Sequence, residues 1–208
     1  KLFEMEVAFK EPPPAVRRAQ IAMSELMMGE VLGAGQFGEV RAATHRGTPV
    51  AVKTLHERHN KSAKRAEAFR DEMQLLLGLR HPNIVQLIGG CWSIESGELC
   101  LVLELCTRGS LEELLGDSAV PLGWVNELLP LATGIARGMA YLHTQRPPIM
   151  HRDLKPDNVL IDDEYVAKGA PRPACPCPLA PVPRRQQGSP CRSDPPCRCV
   201  VAPAAGRW

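Results

Sequence analysis

"HRDLKPDN", residues 151–158, decides how the rest of this chain is read. Asp153 can accept a hydroxyl proton, Lys155 can stabilise charge on a transferred phosphoryl group, and the Asn158 oxygen can ligand Mg²⁺. A polar loop following a helix has no reason to gather all three at this spacing.

Two stretches upstream fit that chemistry. Gly33-Ala34-Gly35-Gln36-Phe37-Gly38-Glu39-Val40 spaces glycines so that a backbone can approach phosphate oxygens without Cβ clash. A bland turn or a Rossmann loop has the same glycines, but the Rossmann reading needs a helix to begin at the loop. Here a strand follows, then a turn and a second strand, which favours a hairpin lid. Val50-Ala51-Val52-Lys53 reads as an apolar strand ending in a cation able to neutralise phosphate, or as a solvated strand edge. Such a Lys needs an acid to hold it. Glu72 lies beside the apolar stripe of Phe69, Met73 and Leu76, while Glu67 and Asp71 are rivals on spacing alone.

The pattern from Ile21 to Lys168 is globular. MMGEVLGAG, GEVRAATH and TPVAVKTL read as strands, with a turn at Arg46–Pro49. A helix follows, with Ser62 able to cap it and Phe69, Met73, Leu76 and Leu77 on one face. NIVQLIGGCW and LCLVLELC read as two more strands around a turn at Glu95–Glu98. Ser110 and Glu113 form a capping box before SLEELL. A helix over 124–143 puts Leu128, Ala132, Ile135, Met139 and Leu142 on a face that needs covering. Residues 1–20, with EPPPAVRRA, read as a linker.

Charge divides the chain unevenly. From Gly169 onward the net charge is +5, against −3 for everything before it, and half of the 20 prolines and five of the eight cysteines lie in that tail. A break of this kind marks a boundary. Cys91, Cys100 and Cys106 sit in apolar surroundings and read as small buried hydrophobes of a reducing compartment. No apolar run approaches the roughly 18 residues of a membrane span, and KLFEMEVAFK is not a signal peptide. A first residue other than Met leaves open a longer protein.

The glycine loop, VAVK and HRDLKPDN, in this order and at these distances, resemble the eukaryotic protein kinases. The resemblance covers about Ile21 to Lys168. DLKPDN is similar to the serine/threonine pattern, and GAGQFGEV, HPNIVQLIGGCW and RPPIMHRDLKPDNVLI resemble the tyrosine-kinase-like branch. The fold implied is α+β and two-lobed: a small β-rich lobe with the hinge over 21–106, then the start of a helical large lobe over 107–168. The reaction implied is transfer of the ATP γ-phosphoryl group to protein Ser or Thr hydroxyls. By resemblance Gly33, Gly35 and Gly38 cover ATP, and Lys53 contacts its phosphates and pairs with Glu72. Leu32, Val40, Ala51 and Leu160 sandwich the adenine, Leu103 is the gatekeeper, and Glu104 to Cys106 form the hinge. Asp153 is the catalytic base, Lys155 contacts phosphate, and Asn158 binds metal. The expected partners are ATP, Mg²⁺ and a protein substrate, without nucleic acid, in the cytoplasm or a cytoplasmic part of a longer protein.

The family pattern breaks after YVAK. Pro171-Arg172-Pro173 stand where Asp-Phe-Gly is expected, and no such tripeptide occurs elsewhere. The principal Mg²⁺ ligand is therefore missing, as are the activation segment and later helices, so little or no transfer activity is expected. Alternatives are a non-catalytic ATP-binding pseudokinase or scaffold, or an unstable fragment. The tail, 169–208, has neither helical nor strand period and reads as disordered, as out-of-frame sequence, or as a genuine isoform. Its C-x-C pairs, Cys175/Cys177 and Cys197/Cys199, depart from the usual zinc spacing.

Overall fold

The computed structural model describes residues 12–35, 38–54, 63–92 and 99–170. They belong to one compact unit that reaches Cys175; the second unit, Pro176–Trp208, lies outside the described residues, as do the tail cysteines, Ser62 and the Glu95–Glu98 turn.

Five antiparallel strands make the small lobe: β1 (Leu26–Gly35), β2 (Gly38–His45), β3 (Thr48–Thr54), β4 (Leu87–Trp92) and β5 (Leu99–Glu104). Their spatial order is β1-β2-β3-β5-β4. Alternation along β3 and β5 separates two faces. Val50, Val52, Cys100 and Val102 pack with Ala43 and Cys91 on one side, while Leu99 and Leu101 on the other meet helix α2 (Ala63–Leu77). Phe69, Met73 and Leu76 of α2 are buried as the spacing predicts, and Leu77 packs half-buried beside them. Cys91, Cys100 and Cys106 are all buried.

Three boundaries differ from expectation. The β2–β3 turn is only Arg46-Gly47, at φ 50° and 84°, the paired left-handed geometry of a tight hairpin, so Thr48 and Pro49 belong to β3. β4 begins at Leu87 rather than Asn83, because Asn83 turns its backbone and side chain toward a later hairpin: Gly169 N–H donates to the Asn83 carbonyl (3.0 Å) and Asn83 Nδ2 to the Ala167 carbonyl (2.9 Å). The linker expected over 1–20 does not hold for residues 12–20. Pro14–Arg18 form a short helix, α1, and Val16 is fully buried against α2.

The second lobe opens with α3 (Leu111–Gly116), held by the predicted capping box: Glu113 N–H donates to Ser110 Oγ (3.2 Å) and Ser110 N–H to Glu113 Oε2 (2.7 Å). The long helix begins with a widened turn, Trp124–Leu128, and continues as α4 (Leu129–Thr144). A hairpin, β6 (Val159–Ile161) and β7 (Ala167–Gly169), follows, and Leu114, Leu131, Val159, Ile161 and Ala167 form its core.

The buried face of α4 is displaced from the predicted stripe. Leu131, Gly134, Gly138 and Leu142 are buried, Ile135 and Met139 are half-buried, and Ala132 is exposed. Gly134 and Gly138 let the helix backbone press against Asn83. A Cβ on Gly134 would lie 2.7 Å from Asn83 Nδ2, and one on Gly138 2.6 Å from the Asn83 carbonyl. Counting large side chains misses a face whose closest contacts are made by glycine. Gly138→Val should therefore destabilise the protein by roughly 1–3 kcal/mol, the usual cost of overpacking. Urea unfolding followed by tryptophan fluorescence measures it; an unchanged midpoint would mean that α4 does not sit this close.

Candidate active site

Strand register assembles one side of a groove. Gly33 pairs with Val40, Val40 with Lys53, and Ala51 with Leu103. Paired residues share a face, and so do residues two apart, so Val40, Ala51, Lys53 and Leu103 lie together. Leu32 falls in the register shift between Val31 and Gly33 and is left 48% exposed. Gly35 pairs with Gly38 at the tip of the hairpin, and Gln36 and Phe37 lie outside the described residues. Among the described residues, a Cβ on Gly33 would meet nothing within 4 Å, so none of their packing demands this glycine. Its backbone faces space that a ligand can enter.

Helix α2 brings an acid to Lys53. Of the three carboxylates the spacing left open, Glu67 and Asp71 are exposed and only Glu72 is buried. Burial pushes the Glu72 carboxyl above its ordinary range, and the charge of Lys53 draws it part of the way back. Among the described residues its Oε1 has no hydrogen-bond partner. Glu72 is thus a carboxylate held in an unfavourable place, with a nearby cation in compensation.

Beyond β5 the chain crosses to the second lobe through Glu104, Leu105 and Cys106. Glu104 is anchored on both sides: Gln86 N–H donates to Oε1 (2.7 Å), and Lys168 Nζ donates to Oε2 (2.6 Å). Lys168 also lies 3.4 Å from Asp162 Oδ2, and its side chain is only 14% exposed. Burial alone would lower the Lys168 pKa, but the hydrogen bond and charge of Glu104, with Asp162, hold it above the usual value. The Cys106 thiol is pushed up to about 12 by burial and then by the Glu104 charge, which makes it a poor nucleophile.

The loop over 151–158 is tied internally and to the end of β7. The Asn158 amide donates to the Asp153 carbonyl (2.7 Å) and to Asp153 Oδ2 (2.9 Å), which fixes the carboxylate. Asp153 N–H donates to the His151 carbonyl (2.9 Å) across Arg152, which stands at φ 63°. Buried His151 places Nε2 at 3.0 Å from the Ala170 carbonyl, and Ala170 N–H donates to the Asn158 carbonyl (3.0 Å). Lys155 is exposed and lies 3.5 Å from Asp157. Leu160 bridges to Ser110 beside the hinge.

The glycine hairpin, Lys53 and the hinge backbone can hold a nucleotide polyphosphate. The described donor set does not by itself fit a divalent ion: among the described residues no three His, Cys, Asp or Glu side chains converge, and the loop over 151–158 offers the side-chain oxygens of Asp153, Asp157 and Asn158. A cavity of about 420 Å³ between α2 and the segment after α4 is lined by Asp71, the exposed rival of Glu72, and by none of the other sequence-predicted site residues. Three residues with positional roles escaped the motif reading: Asn83, which joins α4 to β7; Lys168, which ties the hinge; and Val16. The HPN and YVAK phrases carry the first two, but only as parts of a pattern.

The chain matches the family model for protein tyrosine and serine/threonine kinases over residues 26–170. It is 41% identical over 170 residues to the probable serine/threonine-protein kinase drkD of Dictyostelium discoideum, covering 82% of this chain and 12% of that protein. It is 40% identical over 153 residues to the serine/threonine-protein kinase CTR1 of Arabidopsis thaliana, covering 71% and 18%. The dual specificity protein kinase splA of Dictyostelium discoideum is 39% identical over 150 residues, covering 72% and 6%. The lobe order, glycine hairpin and 151–158 loop define a protein kinase domain. This chain belongs to the protein tyrosine and serine/threonine kinase family, among relatives of the tyrosine-kinase-like, serine/threonine type. It spans less than a quarter of the length of these relatives. Among the described residues no helix is long and apolar enough to cross a membrane.

Two outcomes follow from the charges. Because folding raises the Glu72 pKa, the stability this gives is fully present below the unfolded value of 4.5 and is lost as pH rises through the folded value. Glu72→Gln should therefore melt higher than the parent at pH 7, with the difference shrinking toward pH 4.5; equal melting curves at both pH values would refute the assignment. Lys168→Met should cost about 1–3 kcal/mol in urea unfolding by stranding Glu104 and Asp162. Since the Lys168 pKa lies above its ordinary 10.5, its contribution is lost only as pH rises past that value, and the cost should persist to pH 10.

Proposed function

We propose that this chain is a nucleotide-binding serine/threonine-type kinase domain with little or no phosphoryl-transfer activity of its own. The register that aligns Gly33, Val40 and Lys53 on successive strands, with Glu72 the one buried acid among the α2 candidates, carries this reading. Leu32, Val40, Ala51 and Leu160 take the adenine, the Glu104–Cys106 backbone bonds its edge, and Leu103 closes the back. Lys53 neutralises the phosphates. In the family reaction the substrate hydroxyl oxygen forms a bond to the γ-phosphorus while the bond to the β-phosphate oxygen breaks, and Asp153 takes the hydroxyl proton. Lys155 sits where it can meet the transferred group. ATP and a protein substrate are the partners of this reading, in the cytoplasm or in a cytoplasmic part of a longer protein.

Weak or absent transfer rests on Pro171, which replaces the metal-binding Asp of the family pattern and offers no side-chain oxygen. The same substitution favours the second reading, a pseudokinase that uses nucleotide binding for scaffolding. ATP should raise the melting temperature whether or not Mg²⁺ is present, and Lys53→Ala should abolish the rise. Phosphate incorporation into a generic protein substrate should stay at the level of Asp153→Ala. No ATP response would refute nucleotide binding, and turnover above the Asp153→Ala control would refute the inactive assignment.

A further inference from the structure

The segment before β1 is packed far more tightly than its composition suggests. Val16 of α1 is fully buried in a cluster with Ala66, Phe69, Met73 and Leu76 of α2. The chain then runs beside β4: Gly90 N–H donates to the Ala19 carbonyl (2.9 Å), and Ile21 N–H donates to the Gly90 carbonyl (2.9 Å). Glycines at 89 and 90 make this approach feasible. A side chain at Gly89 would collide with the Ala19 carbonyl, and one at Gly90 with the sulfur of Met73. Segment, β4 and α2 therefore meet at one point, and Met73, which fixes α2 there, is the neighbour of Glu72.

That contact opposes a specific force. The Glu72 carboxylate is buried with Oε1 unbonded among the described residues, so water outside the groove competes for it. A helix free to roll would carry Glu72 outward. We propose that residues 12–21 are a positioning brace: Val16 and the Ala19–Ile21 pairing with Gly90 hold α2 with Glu72 turned toward Lys53, so that loosening the segment disables the site. The functional half of this inference rests on Lys53 and Glu72 serving the nucleotide; the mechanical half does not.

The test uses the full chain with Val16→Asp, and Val16→Ile as the conservative partner. Hydrogen exchange by mass spectrometry should accelerate across α2 by at least about ten-fold in Val16→Asp, as expected for a locally released element, while β2 and β3 stay at parental rates. Acetic anhydride labelling of Lys53, relative to exposed Lys155, should rise several-fold, because loss of a nearby carboxylate favours the neutral amine. Val16→Ile should restore both, a recovery that a purely local packing defect would not extend to Lys53. If Val16→Asp also melts the sheet, Val16→Ala takes the same readouts. Parental α2 exchange, or unchanged Lys53 labelling, in a variant whose residues 12–21 exchange freely would overturn the brace. The ATP melting shift separates the two readings. If the parent responds and Val16→Asp does not, the functional half is upheld. If the parent itself does not respond while α2 exchange follows Val16, the nucleotide assignment fails and the brace stands.

Discussion

Asn83 is the joint on which both lobes depend. Its side chain donates to the Ala167 carbonyl, its carbonyl accepts from Gly169, and its side chain and carbonyl lie against Gly134 and Gly138 of α4 respectively. Val85 N–H then donates to the Gly169 carbonyl at 3.0 Å. A buried amide with these partners has few other ways to satisfy its donors, so it fixes the start of β4, the seat of α4 and the line of β7 together. The loop over 151–158 hangs from the end of that line through Ala170, and Lys168 on the same strand reaches up to the hinge. One polar residue between α2 and β4 thus ties the start of β4 to α4 and to the hairpin from which the catalytic loop hangs.

Stability and site chemistry pull in opposite directions at Glu72. A hydrophobe would suit its buried position on α2, and the shifted titration of the carboxyl measures the conflict. The structure offsets this around the acid rather than at it: a fully apolar α2 stripe, Val16 closing over its top, and the charge of Lys53 opposite. Lys168 shows the contrary arrangement. It too is largely enclosed, but two carboxylates face it, and the same burial that penalises Glu72 here strengthens the ion pairs.

What was legible in the sequence was whatever depends on residue type at a fixed spacing. The five strands, the α2 stripe, the Ser110–Glu113 cap and the buried cysteines follow from period and composition, and the structure returns them with shifts of a few residues. What was not legible depends on approach distance. Gly134 and Gly138 define the buried face of α4, yet glycine contributes nothing to an apolar count. Val16 lies in a proline-rich stretch that reads as linker, and only the facing glycines of β4 reveal that the stretch has a seat. Glu72 could be preferred over Glu67 and Asp71 by its neighbours, but the separation into one buried and two exposed acids needs the helix placed on its sheet.

The break at residue 171 separates geometry from chemistry. β7 ends one residue past Lys168 and its hydrogen bonding continues to Ala170, so Gly169 and Ala170 contribute only backbone atoms to the contacts that shape the catalytic loop. Backbone groups are supplied by any residue, and the loop keeps Asp153 pinned by Asn158 without an acid at 171. A metal ion has no such tolerance, since it needs a side-chain oxygen at the right place and proline has none. On the proposed reading, the chain keeps the parts of a kinase that recognise a nucleotide and lacks the side chain that commits its γ-phosphate to transfer. On that reading binding rests on strands that precede the break, and transfer on a ligand whose position, 171, is occupied by proline.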